Sequence, residues 1–319
     1  MTSSETPPGN LRIDLCICTF RRPELADALR SLASLRVREG WRLRVVVADN
    51  DDVPSACELV TGIRSELPFP IVYIHCPAAN ISIARNACLE AADGDFLAFL
   101  DDDETASPDW LWELVATADA TGADAVLGPV RAHYQDDAPR WMRDGDFHST
   151  LPVWVRGDIL TGYTCNVLLR RASRPIAGRR FSLARGRSGG EDTEYFTRLH
   201  EAGGTIAFAP NAWVHEPVPA ARAQLSWLAR RRFRSGQTHG HLLDAKASPI
   251  ILGKNVALAS AKALYCFVAA GALVFSPRLR NRYALRGIMH AGVVSGLAGL
   301  RELQQYGDVA PKQEAGIGS

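Results

Sequence analysis

The strongest constraint on the fold is an alternation of short apolar runs with helix-like segments over the first 130 residues. The runs are rich in β-branched residues and apolar at consecutive positions, which is typical of parallel strands buried on both faces. This alternation predicts an α/β protein with an open, mostly parallel sheet flanked by helices. The predicted strands are 13–18, 43–49, 70–76, 95–100 and 123–130, and the predicted helices are 23–35, 54–67, 81–92 and 108–122.

The pattern changes twice after residue 130. Residues 131–163 are rich in Asp, Gly, Pro and Trp and are predicted to form long loops, followed by a strand at 164–171 and a helix at 191–204. From about residue 247 the chain becomes rich in alanine and other apolar residues. We therefore predict a disordered lead (1–10), an α/β domain (11–246) and a C-terminal helical region with a flexible tail (247–319).

The C-terminal region contains two apolar runs separated by the basic stretch "SPRLRNRYALR". The first run, 263–275, is too short to cross about 30 Å of hydrocarbon as a helix. The second run covers 287–300. Short apolar helices joined by arginines are typical of segments that lie at a membrane surface. The alternative is a pair of helices that packs on the α/β domain itself.

Composition limits the classes of function. The 319 residues carry a formal net charge of +1, which does not support nucleic-acid binding. Seven cysteines are scattered through apolar runs without the paired spacing of a zinc site, and their odd number does not suit a closed set of disulfides. They are predicted to be buried, reduced thiols of a cytoplasmic protein. The N-terminal sequence predicts no signal peptide.

Polar clusters follow three of the predicted strands: "TFRRP" (19–23), "DNDD" (49–52) and "DDDE" (101–104). In open α/β sheets ligands bind at the carboxyl ends of parallel strands, so the three clusters are expected to converge on one edge. Ser107 and Pro108 account for a helix start but not for the carboxylates Asp101, Asp102 and Asp103. Crowded carboxylates repel one another, and burying them without a partner is costly. A bound cation would explain the cluster.

Two further charged residues lie on helix faces that are predicted to point inward. Arg85 shares the apolar face of its helix, so its guanidinium needs an anion nearby. That anion is either Asp49 or Asp101 in a structural pair, or a phosphate group, which suits the fork of an arginine. Asp192 lies at the start of its helix on the face of two apolar residues. It is either an N-cap or, beside a metal site, a general base.

Four stretches of the sequence occur in a recognisable order: "CICTFRRPEL", "VVVADND", "NISIARNACLEAADGDFLAFLDDDE" and "GEDTEYFTRLHEAG". Together they resemble glycosyltransferase family 2, the inverting enzymes of the GT-A fold, over roughly residues 11–240. The stretches "NISIARN" and "WLARRRFRSG" are most similar to bacterial exopolysaccharide transferases of the succinoglycan type. The resemblance implies a Rossmann-like GT-A domain with a C-terminal helical extension.

The resemblance implies roles for the residues at the strand ends. Thr19, Arg21 and Asp49 would hold the nucleoside of the donor, with Asp49 on a uracil base. Asp101 would contact the ribose or the metal ion. Asp103 would coordinate Mn²⁺ or Mg²⁺ at the diphosphate, for which hard oxygen ligands are suited.

The resemblance also implies roles for four further residues. Arg85 and Asp102 would contribute to the donor site. Asp192 would remove the proton of the acceptor hydroxyl as it attacks the anomeric carbon. His215, in "AWVHEP", occupies a place where some enzymes of this fold have a further metal ligand, although a lone histidine is often structural.

The implied partners are a nucleotide-sugar, such as a UDP-sugar, and a glycan or polyprenyl-diphosphate-linked acceptor. We expect a cytoplasmic protein, peripheral at the inner face of the cytoplasmic membrane, with no nucleic-acid partner. The Q-x-x-R-W motif and the long spanning helices of processive members are missing, which favours transfer of a single sugar. A basic cluster either reaches a diphosphate or lipid phosphate or forms a solvated helix face: Arg222, Arg230, Arg231, Arg232 and Arg234.

Three alternatives fit the sequence less well. "DDDET" matches the D-x-D-x-T motif of haloacid-dehalogenase phosphatases, but that family needs a later lysine, and none occurs between Asp103 and Asp192. A nucleotidyltransferase needs a glycine-rich phosphate loop after the first strand, and "TFRRPEL" has no glycine. A non-catalytic scaffold for assembly partners is disfavoured because Asp101, Asp103 and Asp192 are all intact.

Overall fold

The computed structural model describes residues 10–244, 248–301 and 303, so most of the predicted lead, the predicted boundary at 246 and the predicted tail lie outside the described residues. The first elements are β1 (Leu11–Thr19), α1 (Leu25–Ala33), β2 (Trp41–Asp49), α2 (Cys57–Ile63), β3 (Ile71–His75), α3 (Ile81–Ala91), β4 (Phe96–Asp101), β5 (Thr105–Ala106) and α4 (Trp110–Thr121). They are followed by β6 (Ala125–Leu127), β7 (Val130–Tyr134), α5 (Arg140–Gly145), β8 (Trp154–Val155), β9 (Asp158–Ile159), β10 (Asn166–Arg170), α6 (Glu191–Glu201), β11 (Ile206–Phe208) and β12 (Val214–Val218). Three helices end the described chain: α7 (Leu225–Asp244), α8 (Pro249–Ala272) and α9 (Pro277–Leu297).

The main sheet has seven strands in the order β11–β6–β10–β4–β1–β2–β3. Strands β4, β1, β2 and β3 pair in parallel, and β11 pairs in parallel with β6. Strand β10 runs antiparallel to both of its neighbours, β4 and β6. The prediction of a mostly parallel sheet flanked by helices is therefore confirmed, with one reversed strand inserted between its two parallel parts.

The two faces of this sheet are covered by different helices. Alternate side chains of β1 point to opposite faces, so that Ile13, Leu15 and Ile17 pack with α1, α2 and α4, while Cys16 packs with α3 and α6. Apolar residues at consecutive positions are thus buried on both faces, as the sequence pattern predicted. The seven cysteines are free thiols, three of them buried and four partly buried.

The prediction of long loops at 131–163 is wrong in part. Strand β7 continues the run at 123–130, which breaks into two strands at Gly128 and Pro129, and it pairs with β12 in a small sheet of order β5–β12–β7. Helix α5 and the hairpin β8–β9 also lie in this region. These elements have two to six residues each, which is too few for a periodic hydrophobic pattern to form.

The C-terminal region is helical as predicted, but its first helix is longer than its apolar run. Helix α8 starts at Pro249 and has 24 residues, because the mixed apolar and polar residues 249–262 extend it ahead of the run. By length and composition it is the one helix of the described chain that could cross a membrane, with a mean hydropathy of 1.3 and 17% of that stretch buried. The apolar run 263–275 alone stays too short to span a bilayer, but the helix that contains most of it is long enough.

Helices α7 and α9 cross at very short distance. A Cβ atom added to any of four glycines at the crossing would collide with backbone atoms of the facing helix. The contacts advance by four residues on both helices, from Gly236 with Met289 to Gly240 with Val293, so the two helices run in the same direction. The four glycines are Gly236 and Gly240 on α7 and Gly292 and Gly296 on α9.

We expect Gly292→Ala to lower the free energy of unfolding by ~1–3 kcal/mol, because its Cβ would meet the carbonyl oxygen of Phe233 and separate the helices. Gly253→Ala, on α8, is the matched control. A Cβ at Gly253 meets nothing within 4 Å, so the better helix propensity of alanine should stabilise that variant by roughly 0.5–1 kcal/mol. Thermal unfolding of both variants measures the difference, and equal shifts would contradict a tight crossing.

Candidate active site

The carboxyl ends of β1, β2 and β4 meet at one edge of the main sheet, as predicted. The pairing register places Thr19 opposite Asp49, and Cys18 opposite Asp101. The Oγ1 hydroxyl of Thr19 donates to Oδ2 of Asp102 at 2.7 Å, which ties the end of β1 to the acidic loop after β4. Three polar clusters that are far apart in the sequence therefore form one site.

The carboxylate of Asp49 is fully buried and engaged within the loop that follows β2. Its Oδ1 accepts the N–H of Asp51 at 3.1 Å, and its Oδ2 accepts the N–H of Ala56 at 2.9 Å and the hydroxyl of Tyr73 at 2.7 Å. Burial and this hydrogen bond raise the pKa of Tyr73, so the phenol remains a donor. Asp49 thus fixes the shape of the loop, and Arg21 makes its ion pair with Asp51 at 2.7 Å.

A cluster of carboxylates lies just beyond the end of β4. Burial raises the pKa of Asp101 to about 7. The positive charge of Arg85 opposes this rise, and the neighbouring carboxylates add to it. Burial and repulsion from Asp103 raise the pKa of Asp102 to about 7, although the hydrogen bond from Thr19 opposes this. The pKa of Glu104 is also raised well above its usual range by burial and by Asp101. Carboxylates in this arrangement favour any cation that enters.

One further carboxylate joins the cluster from β12, and it is Glu216 rather than His215. Burial and Asp103 raise the pKa of Glu216, which places its side chain beside the acidic loop. Successive side chains of a strand point to opposite faces, so His215 turns away and its Nδ1 lies 2.8 Å from Nε2 of His133. Within the described chain, no contact joins His215 to the other predicted metal ligands, so the geometry favours Glu216 over His215 as the residue of β12 nearest to them.

Arg222 connects the two sides of this cluster. Its guanidinium donates to Oε1 of Glu216 at 2.7 Å and to Oδ2 of Asp103 at 3.2 Å. Its backbone carbonyl accepts a hydrogen bond from Nε2 of the buried His148 at 3.0 Å. Burial lowers the pKa of His148 to about 4, so the ring is neutral and its Nδ1 accepts from the hydroxyl of Tyr134. The loop that carries Arg222 is therefore held at the acidic edge.

The donor atoms of the cluster fit a hard divalent cation. Ligand atoms of Asp101, Glu104 and Cys165 all lie within 4.8 Å of one another. Burial raises the pKa of the Cys165 thiol well above its usual range, so it stays protonated and is a poor ligand. The carboxylate oxygens that remain in this group, from Asp101 and Glu104, and those of the neighbouring Asp103, are the kind of ligand that Mg²⁺ and Mn²⁺ prefer.

Arg85 is buried, as predicted from its helix face, but its partner differs from both predicted ones. It forms an ion pair with Glu191, at the start of α6, instead of Asp49 or Asp101. Burial disfavours the charged guanidinium, yet Glu191, Asp101 and Asp192 outweigh this and raise the pKa of Arg85. Arg85 thus lies between the acidic loop and the start of α6 and holds these two parts of the site together.

Asp192 is the second residue of α6, and Gly190 is the N-cap, so the interpretation of Asp192 as a capping residue is wrong. Its Oδ1 accepts the N–H of Thr193 at 2.6 Å. The side chain is partly exposed, whereas Phe196 on the same face of α6 is fully buried. Asp192 therefore lies at the accessible end of the buried face of α6, next to the site.

Sequence reasoning missed two residues that contribute to this site: Glu191 and Glu216. Glu216 follows His215 in a short strand, and the alternation of side chains could have indicated that only one of the two faces the acidic loop. Arg222 was predicted to reach a diphosphate or a lipid phosphate or to lie on a solvated helix face, but its carboxylate partners Asp103 and Glu216 were not predicted. No signal in the sequence identified the pairing of Glu191 with Arg85, since 106 positions separate them.

The arrangement of the sheet and the acidic edge defines an α/β enzyme of the GT-A type, and known structures support this class. A mannosyltransferase from Pyrobaculum calidifontis in complex with GDP-Man and Mn²⁺ superposes with a TM-score of 0.60 and 19% identity, over 92% of this chain and 90% of that chain. S. aureus TarS (1–349) in complex with UDP gives a TM-score of 0.51 and 16% identity, over 91% and 92% of the two chains. These similarities confirm the predicted fold.

Sequence comparison defines the family. The profile described as "Glycosyl transferase family 2" matches residues 14–174. The succinoglycan biosynthesis protein ExoM of Rhizobium meliloti (strain 1021) is 64% identical over 301 residues, which cover 94% of this chain and 97% of that protein. The chain therefore belongs to glycosyltransferase family 2 and is a glycosyltransferase, as the motifs predicted.

Proposed function

We propose that this protein is an inverting, metal-dependent enzyme that transfers a single sugar from a UDP-sugar to a hydroxyl of a glycan or lipid-linked acceptor in exopolysaccharide biosynthesis. The observation that carries the proposal is the carboxylate cluster at the carboxyl ends of the strands. Asp192, at the start of α6, lies near this cluster. The similarity to a protein of succinoglycan biosynthesis supports the pathway, and the UDP complex of a protein with the same fold supports the donor class.

The donor would bind at the edge formed by β1, β2 and β4. Thr19 and Arg21, at the end of β1, would contact the nucleoside beside the loop that Asp49 fixes, and Asp102 would keep Thr19 in place through their hydrogen bond. Asp101 and Asp103 would hold Mn²⁺ or Mg²⁺. A divalent cation supplies charge neutralisation for a leaving diphosphate.

The two arginines of the site would have different roles. Arg222 lies at Asp103 and Glu216, so its guanidinium is placed where negative charge builds up as the sugar leaves. Arg85 is engaged with Glu191 and lies too deep for a direct phosphate contact to be its main role. We assign it to positioning, because it holds α6 against the acidic loop.

Asp192 would act as the general base. Its carboxylate takes the proton of the acceptor hydroxyl while that oxygen forms a bond to the anomeric carbon. The bond from the anomeric carbon to the diphosphate oxygen breaks in the same step, and the electron pair leaves with the nucleoside diphosphate. One displacement from the face opposite the leaving group inverts the configuration of the sugar.

The C-terminal helices would place the enzyme at the inner face of the cytoplasmic membrane. Helix α8 carries a row of exposed apolar side chains, among them Ile250 with 86% of its surface exposed, and Phe275 just after the helix is 98% exposed. Such a surface is larger than soluble proteins normally expose to water. Arginines flank it in the first turns of α9, at Arg278, Arg280 and Arg282, which suits anionic lipid headgroups.

Screening UDP-sugars for release of UDP tests the proposal. We expect slow, metal-dependent release of UDP from one UDP-sugar without acceptor, since water can replace the acceptor hydroxyl, and no release after chelation. GDP-sugars that carry the same sugars serve as a control for recognition of the nucleobase. A protein that binds and cleaves no nucleotide-sugar would support the scaffold alternative instead.

A further inference from the structure

Three arginines on two neighbouring helices face one another beyond the acidic edge. Arg231 and Arg232 lie on α7, and Arg286 lies on α9. Where α7 and α9 cross, Gly236 lies against Met289, so Arg232 and Arg286 lie side by side about one turn earlier on the two helices. Burial, together with the positive charges of Arg231 and Arg286, lowers the pKa of Arg232. We call them the arginine cluster. Arg231 and Arg232 are partly exposed and Arg286 is exposed, so a ligand can reach all three.

No carboxylate of the described residues forms an ion pair with the arginine cluster, and Glu216 interacts with Arg231 only beyond ion-pair distance. In the parts of the chain that the structure describes, none of the three arginines takes part in a salt bridge or donates a hydrogen bond, whereas Arg222 and Arg234 nearby have polar partners. Residues 217–301 contain thirteen Arg and Lys residues and one acidic residue, Asp244. Like charges held together without a counterion cost free energy, which an anionic ligand would recover.

The arginine cluster lies between the active site and the apolar surface of α8. The guanidinium groups of Arg231 and Arg222 lie 5.4 and 5.9 Å from the centroid of the same Trp227 ring, and Arg222 donates to Asp103, so Arg231 borders the active site. On the other side, a Cβ at Gly287, next to Arg286, would lie 2.7 Å from Phe267 of α8.

The part of α8 that neighbours Arg286 is apolar and open to the surroundings. Leu264 and Val268 are each 65% exposed there, on either side of Phe267. A molecule with a charged head on the arginines could therefore place an apolar chain along α8. The head would at the same time lie near the acidic edge, which Arg231 borders.

We propose that Arg231, Arg232 and Arg286 bind the phosphate or diphosphate group of a lipid whose chain lies along the exposed face of α8. Because this inference rests on the proposed function, the lipid is the one that carries the acceptor sugar. Guanidinium groups suit such a ligand, since their planar forks match phosphate oxygens. The site would hold the acceptor at the membrane with its sugar directed toward Asp192.

Vesicle flotation of the full-length protein tests the site, with EDTA present to exclude metal-bridged binding. The vesicles are phosphatidylcholine alone, with phosphatidylglycerol, or with geranylgeranyl diphosphate. We expect the wild type to bind the diphosphate vesicles best, and Arg232→Gln and Arg286→Gln each to weaken that binding about tenfold or more. Arg230→Gln is the matched control, because Arg230 is exposed on α7 outside the arginine cluster.

Each outcome bears on the proposal. Unchanged binding of Arg232→Gln and Arg286→Gln would overturn it, as would an equal loss with Arg230→Gln. An equal loss on phosphatidylglycerol and diphosphate vesicles would assign the site to bulk lipid headgroups and overturn the acceptor part. Arg232→Gln should unfold at no lower temperature than the wild type, because it removes repulsion, and this separates lost binding from misfolding.

The same variants distinguish a failure of the lipid-phosphate site from a failure of the proposed sugar transfer. Metal-dependent release of UDP from the donor in water should be unchanged in Arg232→Gln and Arg286→Gln, since neither arginine contacts the acidic edge. If the wild type releases no UDP, the proposed function fails while the vesicle result still stands. If UDP is released but the variants bind vesicles normally, the arginine cluster is not a lipid-phosphate site.

Discussion

Replacing Asp192 with asparagine should reduce turnover by about 10²–10⁴ while donor and metal affinity stay within about twofold. The amide can accept the N–H of Thr193 as the carboxylate does, so the start of α6 should keep its geometry. It cannot take a proton from the acceptor hydroxyl at neutral pH. Measuring kcat with saturating acceptor, and donor affinity by calorimetry, separates the loss of the base from a loss of binding.

A matched control for this variant is Asp109→Asn. Asp109 is also at the start of a helix, as the N-cap of α4, but it is exposed and pairs with Arg36 far from the acidic edge. Its turnover should stay at the wild-type level. Nearly wild-type turnover of Asp192→Asn would end the proposed role of Asp192.

Glu191 is unsuitable as a control because it is buried and paired with Arg85. Removing one partner of a buried ion pair typically costs 3–5 kcal/mol, so Glu191→Gln should lower stability and disturb the site as a whole. Successive residues lie about 100° apart around a helix, so Glu191 and Asp192 point to different sides of α6. The side that carries Glu191 is more deeply buried than the side that carries Asp192.

The location of the site was predictable because it follows from two local signals. Apolar runs identified β1, β2 and β4, and the polar residues after each run had to lie at the same sheet edge once the strands were parallel. The hydrogen bond from Thr19 to Asp102 and the pairing of Cys18 with Asp101 confirm that convergence. Neither step required knowledge of contacts between distant segments.

Details that depend on distant segments could not be predicted. Strand β10 has the same apolar composition as its parallel neighbours, so nothing in its own sequence indicates that it runs antiparallel between β4 and β6. The partner of Arg85 comes from α6, and several carboxylates were equally plausible. The choice between His215 and Glu216 depends on the register of β12 against β5 and β7, which only the folded sheet defines.

The length of α8 was underestimated for a different reason. The uninterrupted apolar run covers only 263–275, whereas the preceding residues alternate apolar side chains such as Ile250 and Leu258 with polar ones and two lysines, so the run did not show where the helix begins. The glycines that let α9 pack on α7 carry no hydrophobic signal either. Their spacing of four residues on both helices becomes meaningful only once the two helices are known to be neighbours.

Replacing Asp103 with asparagine should abolish metal-dependent binding of UDP. Asp103 lies at the centre of the carboxylate cluster, where it raises the pKa of Asp101, Asp102 and Glu216. Asparagine keeps the size of the side chain but removes the charge that a divalent cation needs. Calorimetric titration of UDP with and without Mn²⁺ should show a large difference for the wild type and none for Asp103→Asn. Asp136→Asn, in an exposed turn, changes net charge equally and should behave as the wild type.

The same titration should depend on pH in a defined direction. Burial holds the pKa of both Asp101 and Asp102 at about 7, so below that pH the cation must displace protons and its affinity should fall. Above about pH 7 both carboxylates are ionised and the affinity should level off. In Asp103→Asn one repulsive charge is gone while burial remains, so the pKa of Asp101 and Asp102 should drop and the pH dependence of any remaining metal binding should move to lower pH. Equal affinity of UDP with and without Mn²⁺ in the wild type would contradict the metal site itself, and a wild-type affinity that is flat between pH 6 and 8 would contradict the protonation of its ligands.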